Sequence, residues 1–265
     1  MRIILMTFIC LLIFAAFGIG QTAKRNARPA VAKPAATPQV VEPDPTPTPS
    51  AKRNERPQNT SEVGKNPSPQ TTAKPNYIYE FDQPNFTVSH VTIEHDETGR
   101  GKITFMKRGL EEPDSDPLTL TQVTMDKIKA ALTALSFLES TETYQTVRDY
   151  SHMGNVTFTY RKDGRERTVK YNWTENKDAK ALMDEYRRIS NQYVWQYDVA
   201  ISRENQPLNA PSLMDELDGY LRRNEISDPP QMLPMLKELS NDERIPLIAR
   251  NHATRLAERI EKAKN

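Results

Sequence analysis

The chain has 265 residues, with 36 Lys and Arg set against 35 Asp and Glu. So even a balance gives nucleic acid, or any acidic polymer, no global electrostatic reason to bind. Hydrophobic residues make up 37 %, low for a fully folded chain even when glycine is added, so part of the sequence is expected to contribute nothing to a core.

The shortfall is local. Residues 1–20 are almost wholly apolar, and residues 21–75 contain no Leu, Ile, Met, Phe, Tyr or Trp. Met1 and Arg2 form a positive start, Ile3 to Phe17 an apolar run, and Gly18-Ile19-Gly20 places small residues at the −3 and −1 positions of a cut before Gln21. This pattern predicts an export signal. The competing reading is an uncleaved anchor at residues 3–20, which is close to the shortest stretch able to cross a bilayer as a helix. Cys10 is the only cysteine and lies inside the apolar run. It is too early for a lipidated first residue, and the remainder of the chain can form no disulfide, thiol nucleophile or thiolate metal site.

Residues 21–75 hold 11 of the 20 prolines and are too poor in apolar surface to offset the entropy of ordering. They are expected to be a disordered tether, semi-rigid where Pro alternates between Thr37 and Ser50. The heptapeptide A-K-R-N-A-R-P at Ala23 to Pro29 returns as A-K-R-N-E-R-P at Ala51 to Pro57. With nine Lys and Arg against four Asp and Glu, the tether is basic; the repeats read either as docking sites for an anionic surface or, preferably, as a duplicated spacer.

From residue 76 to 205 the pattern alternates between strand and helix periods. Asn85 to His95 and Lys102 to Arg108 read as a hairpin, with Val91 and Ile93 facing Ile103 and Phe105 and with His90 turned away. Tyr77 to Phe81 adds an expected edge strand. Thr121 to Ser136 has helical spacing through Ile128, Ala131, Leu132 and Leu135. Val156, Phe158 and Tyr160 alternate up to the turn residues Asp163-Gly164, and Val169, Tyr171 and Trp173 alternate back. Asn176 is suited to cap a long helix carrying Ala179, Leu182, Met183, Tyr186, Ile189, Tyr193, Tyr197 and Ile201. The expected fold is therefore α+β: an antiparallel sheet in ββαββα order with helices on one face.

Residues 206–265 carry no strand signal and are expected to form a three-helix tail packed on the α+β domain. The first helix is lined by Leu213, Leu217 and Leu221, and the second opens at Asp228-Pro229-Pro230 and is lined by Met232, Leu233, Leu236 and Leu239. Ser240 to Glu243 fits a capping box for the third, and Pro246 sets a fresh start with Ile248, Ala253, Leu256 and Ile260 inside. The stretch from Leu233 to Leu256, L-P-M-L-K-E-L-S-N-D-E-R-I-P-L-I-A-R-N-H-A-T-R-L, resembles a single HEAT-type helical hairpin. A solenoid needs at least three stacked repeats, so the resemblance implies a docked hairpin. In layout, with signal, Thr/Pro tether and cysteine-free domain, the chain resembles uncharacterised exported proteins of environmental bacteria, a resemblance that brings no activity or functional residues.

Chemistry is sparse. There is no G-x-S-x-G, no H-E-x-x-H and no Gly-rich phosphate loop, so no cofactor is expected. His90 and His95 fall on opposite faces of a strand and cannot share an ion. His152 with Asp149 is the candidate catalytic pair. Glu111, Glu112, Asp114 and Asp116 are the candidate cation ligands, or an acid pair in the manner of a glycosidase, although they lack the Gly and distal Glu of a calcium loop. Sequons stand at Asn59, Asn85, Asn155 and Asn172. Taken together the residues favour an extracytoplasmic, non-catalytic binding or scaffolding module for an envelope protein partner, with no nucleic acid and possible membrane attachment through residues 3–20. The alternative is an exported hydrolase using His152 and Asp149 or the Glu111 to Asp116 segment.

Overall fold

A computed structural model describes residues 74–264. The expected signal or anchor, the expected tether up to residue 73, the basic repeats, Cys10 and Asn59 lie outside the described residues. The fold is α+β. Four strands come first, β1 (Tyr77–Asp82), β2 (Val88–His95), β3 (Arg100–Lys107) and β4 (Asp114–Thr119), followed by helix α1 (Gln122–Ala134), the hairpin β5 (Asn155–Lys162) and β6 (Arg165–Tyr171), and the long helix α2 (Lys177–Asn205). The tail is α3 (Ala210–Arg222), α4 (Leu233–Asn241) and α5 (Leu247–Lys264).

All six strands form one antiparallel sheet in the order β4-β3-β2-β1-β5-β6. The hairpin registers follow the alternation. Val91 pairs with Phe105 and Ile93 with Ile103, all four buried, and Val156 with Tyr171 and Phe158 with Val169. Asp163 and Gly164 both take positive φ, 51° and 74°, as the β5–β6 turn requires. Asn176 caps α2 by accepting from the backbone N–H of Asp178 and Ala179 at 3.0 and 3.1 Å.

Two strand assignments need correction. Tyr77 to Phe81 is not an edge: β1 is central, with β2 on one side and β5 on the other. Its inward residues Tyr77 and Tyr79 are almost wholly buried, so the strand needs cover on both flanks. The edge belongs instead to β4, whose sequence D-S-D-P-L-T hides the strand; Pro117 offers no N–H and is tolerated because β4 pairs only with β3. The order is thus ββββαββα. Asp114 and Asp116 accordingly stand in a strand, opposite Phe105 and Ile103, with Glu111 and Glu112 exposed in the connection before it. β2 also begins at Val88, later than the alternation implies, because residues 83–86 turn on a Phe86 N–H to Gln83 carbonyl bond of 3.0 Å.

Both helices α1 and α2 cover one sheet face. Met125, Ile128 and Leu132 of α1 and Ala179, Leu182, Met183, Tyr186 and Ile189 of α2 close a core with the inward residues of the sheet. The opposite face is polar, with Ser115, Thr104, Thr92, Glu80, Thr157 and Lys170 in one row across the strands.

The far half of α2 serves a second cluster. Trp195 and Val199 join Leu213, Met214 and Leu217 of α3, Leu236 of α4 and Ala253, Leu256 and Ile260 of α5. Trp195 Nε1 donates to the Leu213 carbonyl at 2.8 Å. α4 and α5 pack against each other. The stripe of α5 is as expected at Ala253, Leu256 and Ile260, which are buried, but Ile248 is exposed and Ala249 faces inward in its place. Ser240 lies within α4, so it caps nothing, and the start of α5 is set by Pro246. Ile201 is exposed and Trp173 falls beyond the end of β6. Among the described residues no helix is long and apolar enough to cross a membrane.

Candidate functional site

A half-open groove of about 870 Å³ lies where β1, β2, α2 and α3 meet. One wall comes from the sheet. Tyr79 and Phe81 end β1, Phe86 rides the β1–β2 turn, and Val88 and Val91 continue along β2. Met153 closes the rim and, like Phe86, is partly exposed, at 37 % and 45 %. Phe81 is fixed by its backdrop: Gly154 has φ +96°, and a Cβ there would fall 2.2 Å from the Phe81 ring. Only glycine permits this approach.

The other wall is cationic. Arg187 and Arg188 project from the middle of α2, and Arg223 from the end of α3. Two of these are committed. Arg188 binds Glu185 at 2.6 Å and donates from Nε to the Asn224 carbonyl at 3.0 Å. Arg223 binds Glu225 at 2.8 Å, which raises its pKa further. Arg187 is different. It reaches Asp184 only at 4.0 Å, and Asp184 is already held by Lys180. One positive charge of the wall is therefore without a close counter-charge.

Tyr79 also lines the groove. Its ring stacks on Tyr186 with centroids 4.8 Å apart, and its buried hydroxyl has no hydrogen-bond partner among the described residues. Burial raises its pKa, opposed by the neighbouring Arg187. A buried phenol usually finds a partner; here the polar group beside it is the Arg187 guanidinium.

A second polar seam ties the tail to α1 and α2. Glu185, whose side chain is only 3 % exposed, accepts from Ser227 Oγ at 2.6 Å and from Lys127 Nζ at 3.3 Å besides its pair with Arg188. Ser227 in turn meets Thr124 Oγ1 of α1 at 2.9 Å. This carboxylate links α1, α2 and the α3–α4 connection in one node.

The residues singled out from sequence lie elsewhere. Asp149 accepts from the Ser151 N–H at 2.8 Å and from Asn172 Nδ2 at 2.6 Å, and these donors, the Ser151 N–H foremost, hold its carboxyl below the ordinary range. His152 is exposed on the following turn and shares no hydrogen bond or ion pair with Asp149. Its ring approaches Tyr150 at 6.0 Å. Burial and the charge of Asp114 raise the Asp116 carboxyl. Among the described residues no three His, Asp or Glu side chains gather to hold a metal ion. Of the sequons, Asn172 is buried with its amide engaged, Asn155 is half-buried, and Asn85 is exposed at the groove.

His90 is half-exposed, 3.6 Å from Asp82. His95 is enclosed, its Nδ1 bonded to the Asp96 carbonyl at 2.9 Å and its Nε2 to the Tyr186 hydroxyl at 2.8 Å. No family model matches the chain, and neither the curated proteins nor the solved structures compared with it include a match.

Proposed function

We infer that the protein is an exported, tethered binding module without catalytic activity, and that the groove is its binding face. One observation carries this reading: a concavity of about 870 Å³ joins exposed apolar side chains to a guanidinium without a close partner. That volume lies in the range of ligand sites. The sequence supports the location. The apolar start, the basic Pro-rich stretch after it and the single early cysteine suit a domain held outside the cytoplasm.

The test is recovery of the full chain from its own cell envelope after mild cross-linking, followed by mass spectrometry of whatever accompanies it. A companion, protein or small molecule, that is retained by the parent and lost by the double variant Phe86→Asp/Arg187→Glu supports the groove as binding face. Equal retention by both refutes it. The same spectra report export: a chain beginning at Gln21 reveals a cleaved signal, and an intact Met1 an uncleaved anchor.

A further inference from the structure

We propose that the groove takes an acyl carboxylate, a molecule with a hydrocarbon body and a single carboxylate end, an assignment that rests on the groove being the binding face.

The hydrocarbon is indicated by what the groove offers along its length. Phe81, Phe86, Val88, Val91, Val194 and Met153 supply carbon. The polar side chains that line it from α2 are spent within the chain: Ser190 donates to the Tyr186 carbonyl at 2.9 Å and Asn191 to the Glu225 carbonyl at 3.1 Å. A peptide laid along the α2 wall would find these two donors already spent, at the cost backbone groups incur when buried unpaired. An alkyl chain brings none. Burial of the partly exposed Phe86 and Met153 would supply the gain.

The carboxylate is indicated by charge. Of the charged side chains that line the groove, Arg187, Arg188 and Arg223 stand against Asp184 and Glu225, a surplus of one positive charge, and Arg187 is the cation farthest from its carboxylate, at 4.0 Å. Its planar fork fits two carboxylate oxygens, and its side chain is one-third exposed. A single positive charge matches a single negative one. A dianionic phosphate would stand near Asp184 and Glu225 with too little compensation, and a cationic head would meet Arg187 directly.

The experiment is calorimetric titration of the delipidated full chain with decanoate, decanol, decyl phosphate and decyltrimethylammonium. Decanoate is expected to saturate one site and to bind about tenfold more tightly than decanol, the effect of one charge-assisted pair. Arg187→Gln should bring decanoate down to the level of decanol while leaving decanol unchanged. Phe86→Ala should weaken both. Circular dichroism identifies any variant that fails to fold, and Arg187→Lys, which keeps the charge, should retain part of the preference. Decanoate binding indifferent to Arg187→Gln, equal binding of the ammonium, tighter binding of the phosphate, or no saturable decanoate binding would each overturn the assignment. If decanoate fails while the envelope companion is still lost by the groove variant, the binding face stands and only the acyl carboxylate falls.

Discussion

Acid should find this fold at one buried ring. His95 is 1 % exposed, stacked on Tyr77 with centroids 4.5 Å apart, and bonded through both nitrogens. The Asp96 carbonyl can only accept, so Nδ1 carries the hydrogen and Nε2 accepts from Tyr186. Burial pushes the imidazole down from 6.5 to about 4, a displacement that the Asp96 carbonyl and the carboxylates of Asp96 and Glu97 only partly oppose. The unfolded chain therefore binds more protons than the folded one between these values. The neutral ring's contribution is complete above about pH 6.5 and is lost as the pH falls towards about 4. Its full size is about 3 kcal/mol, of which about 2 kcal/mol is gone by about pH 5. Urea unfolding of parent and His95→Gln at about pH 7.5 and about pH 5 isolates it, the parent losing about 2 kcal/mol more than the variant over that interval. Should the variant not fold, the imidazole resonances of the parent must titrate near 4. Equal losses in both proteins, or a midpoint near 6.5, would refute the reasoning.

Leu217, Leu236 and Leu256 are all within 2 % of full burial, and each truncated to Ala should cost about 2 to 5 kcal/mol. Because α2 belongs to both cores, calorimetry should show one shifted transition for the whole fold, and a separate melting of the tail would contradict this. Glu185→Ala strips Lys127, Arg188 and Ser227 of their shared carboxylate and should cost about 3 kcal/mol, with Glu185→Gln milder; a loss within about 0.5 kcal/mol of zero in denaturant titration would show the node to be ornamental. Gly154→Ala combines a positive φ with the collision at Phe81, so it should destabilise by more than about 1 kcal/mol and weaken binding of decanol and decanoate alike.

What the sequence makes legible is whatever depends on neighbours in the chain. Val91 and Ile93 alternate against Ile103 and Phe105 across one connection, so their register can be read directly, as can the Asp163-Gly164 turn and the Asn176 cap. The same alternation places His95 on the inward side with Ile93. The central position of β1 is not legible in that way, because its pairing of Tyr77 with Tyr160 joins residues far apart and an alternating strand looks alike at edge and centre. β4 is masked by its composition: Asp, Ser and Pro advertise a loop, and only the pairing with β3 makes them a strand. The groove is the furthest from reach. Phe81, Phe86, Arg187 and Arg223 come from separate elements, each residue ordinary where it stands, and what distinguishes Arg187 is the sharing of its one carboxylate, Asp184, with the closer Lys180.

The place of β1 has a mechanical consequence. This strand is the first element of the fold, and it is hydrogen-bonded along both sides to β2 and β5. A pull directed along β1 loads two antiparallel ladders together in shear, so their bonds must yield collectively. An outermost strand peeled from its free end would give up its bonds singly. Resistance to force is a matter of the rate of unfolding more than of equilibrium stability, and this topology puts a strand clamped on both sides at the very start of the fold.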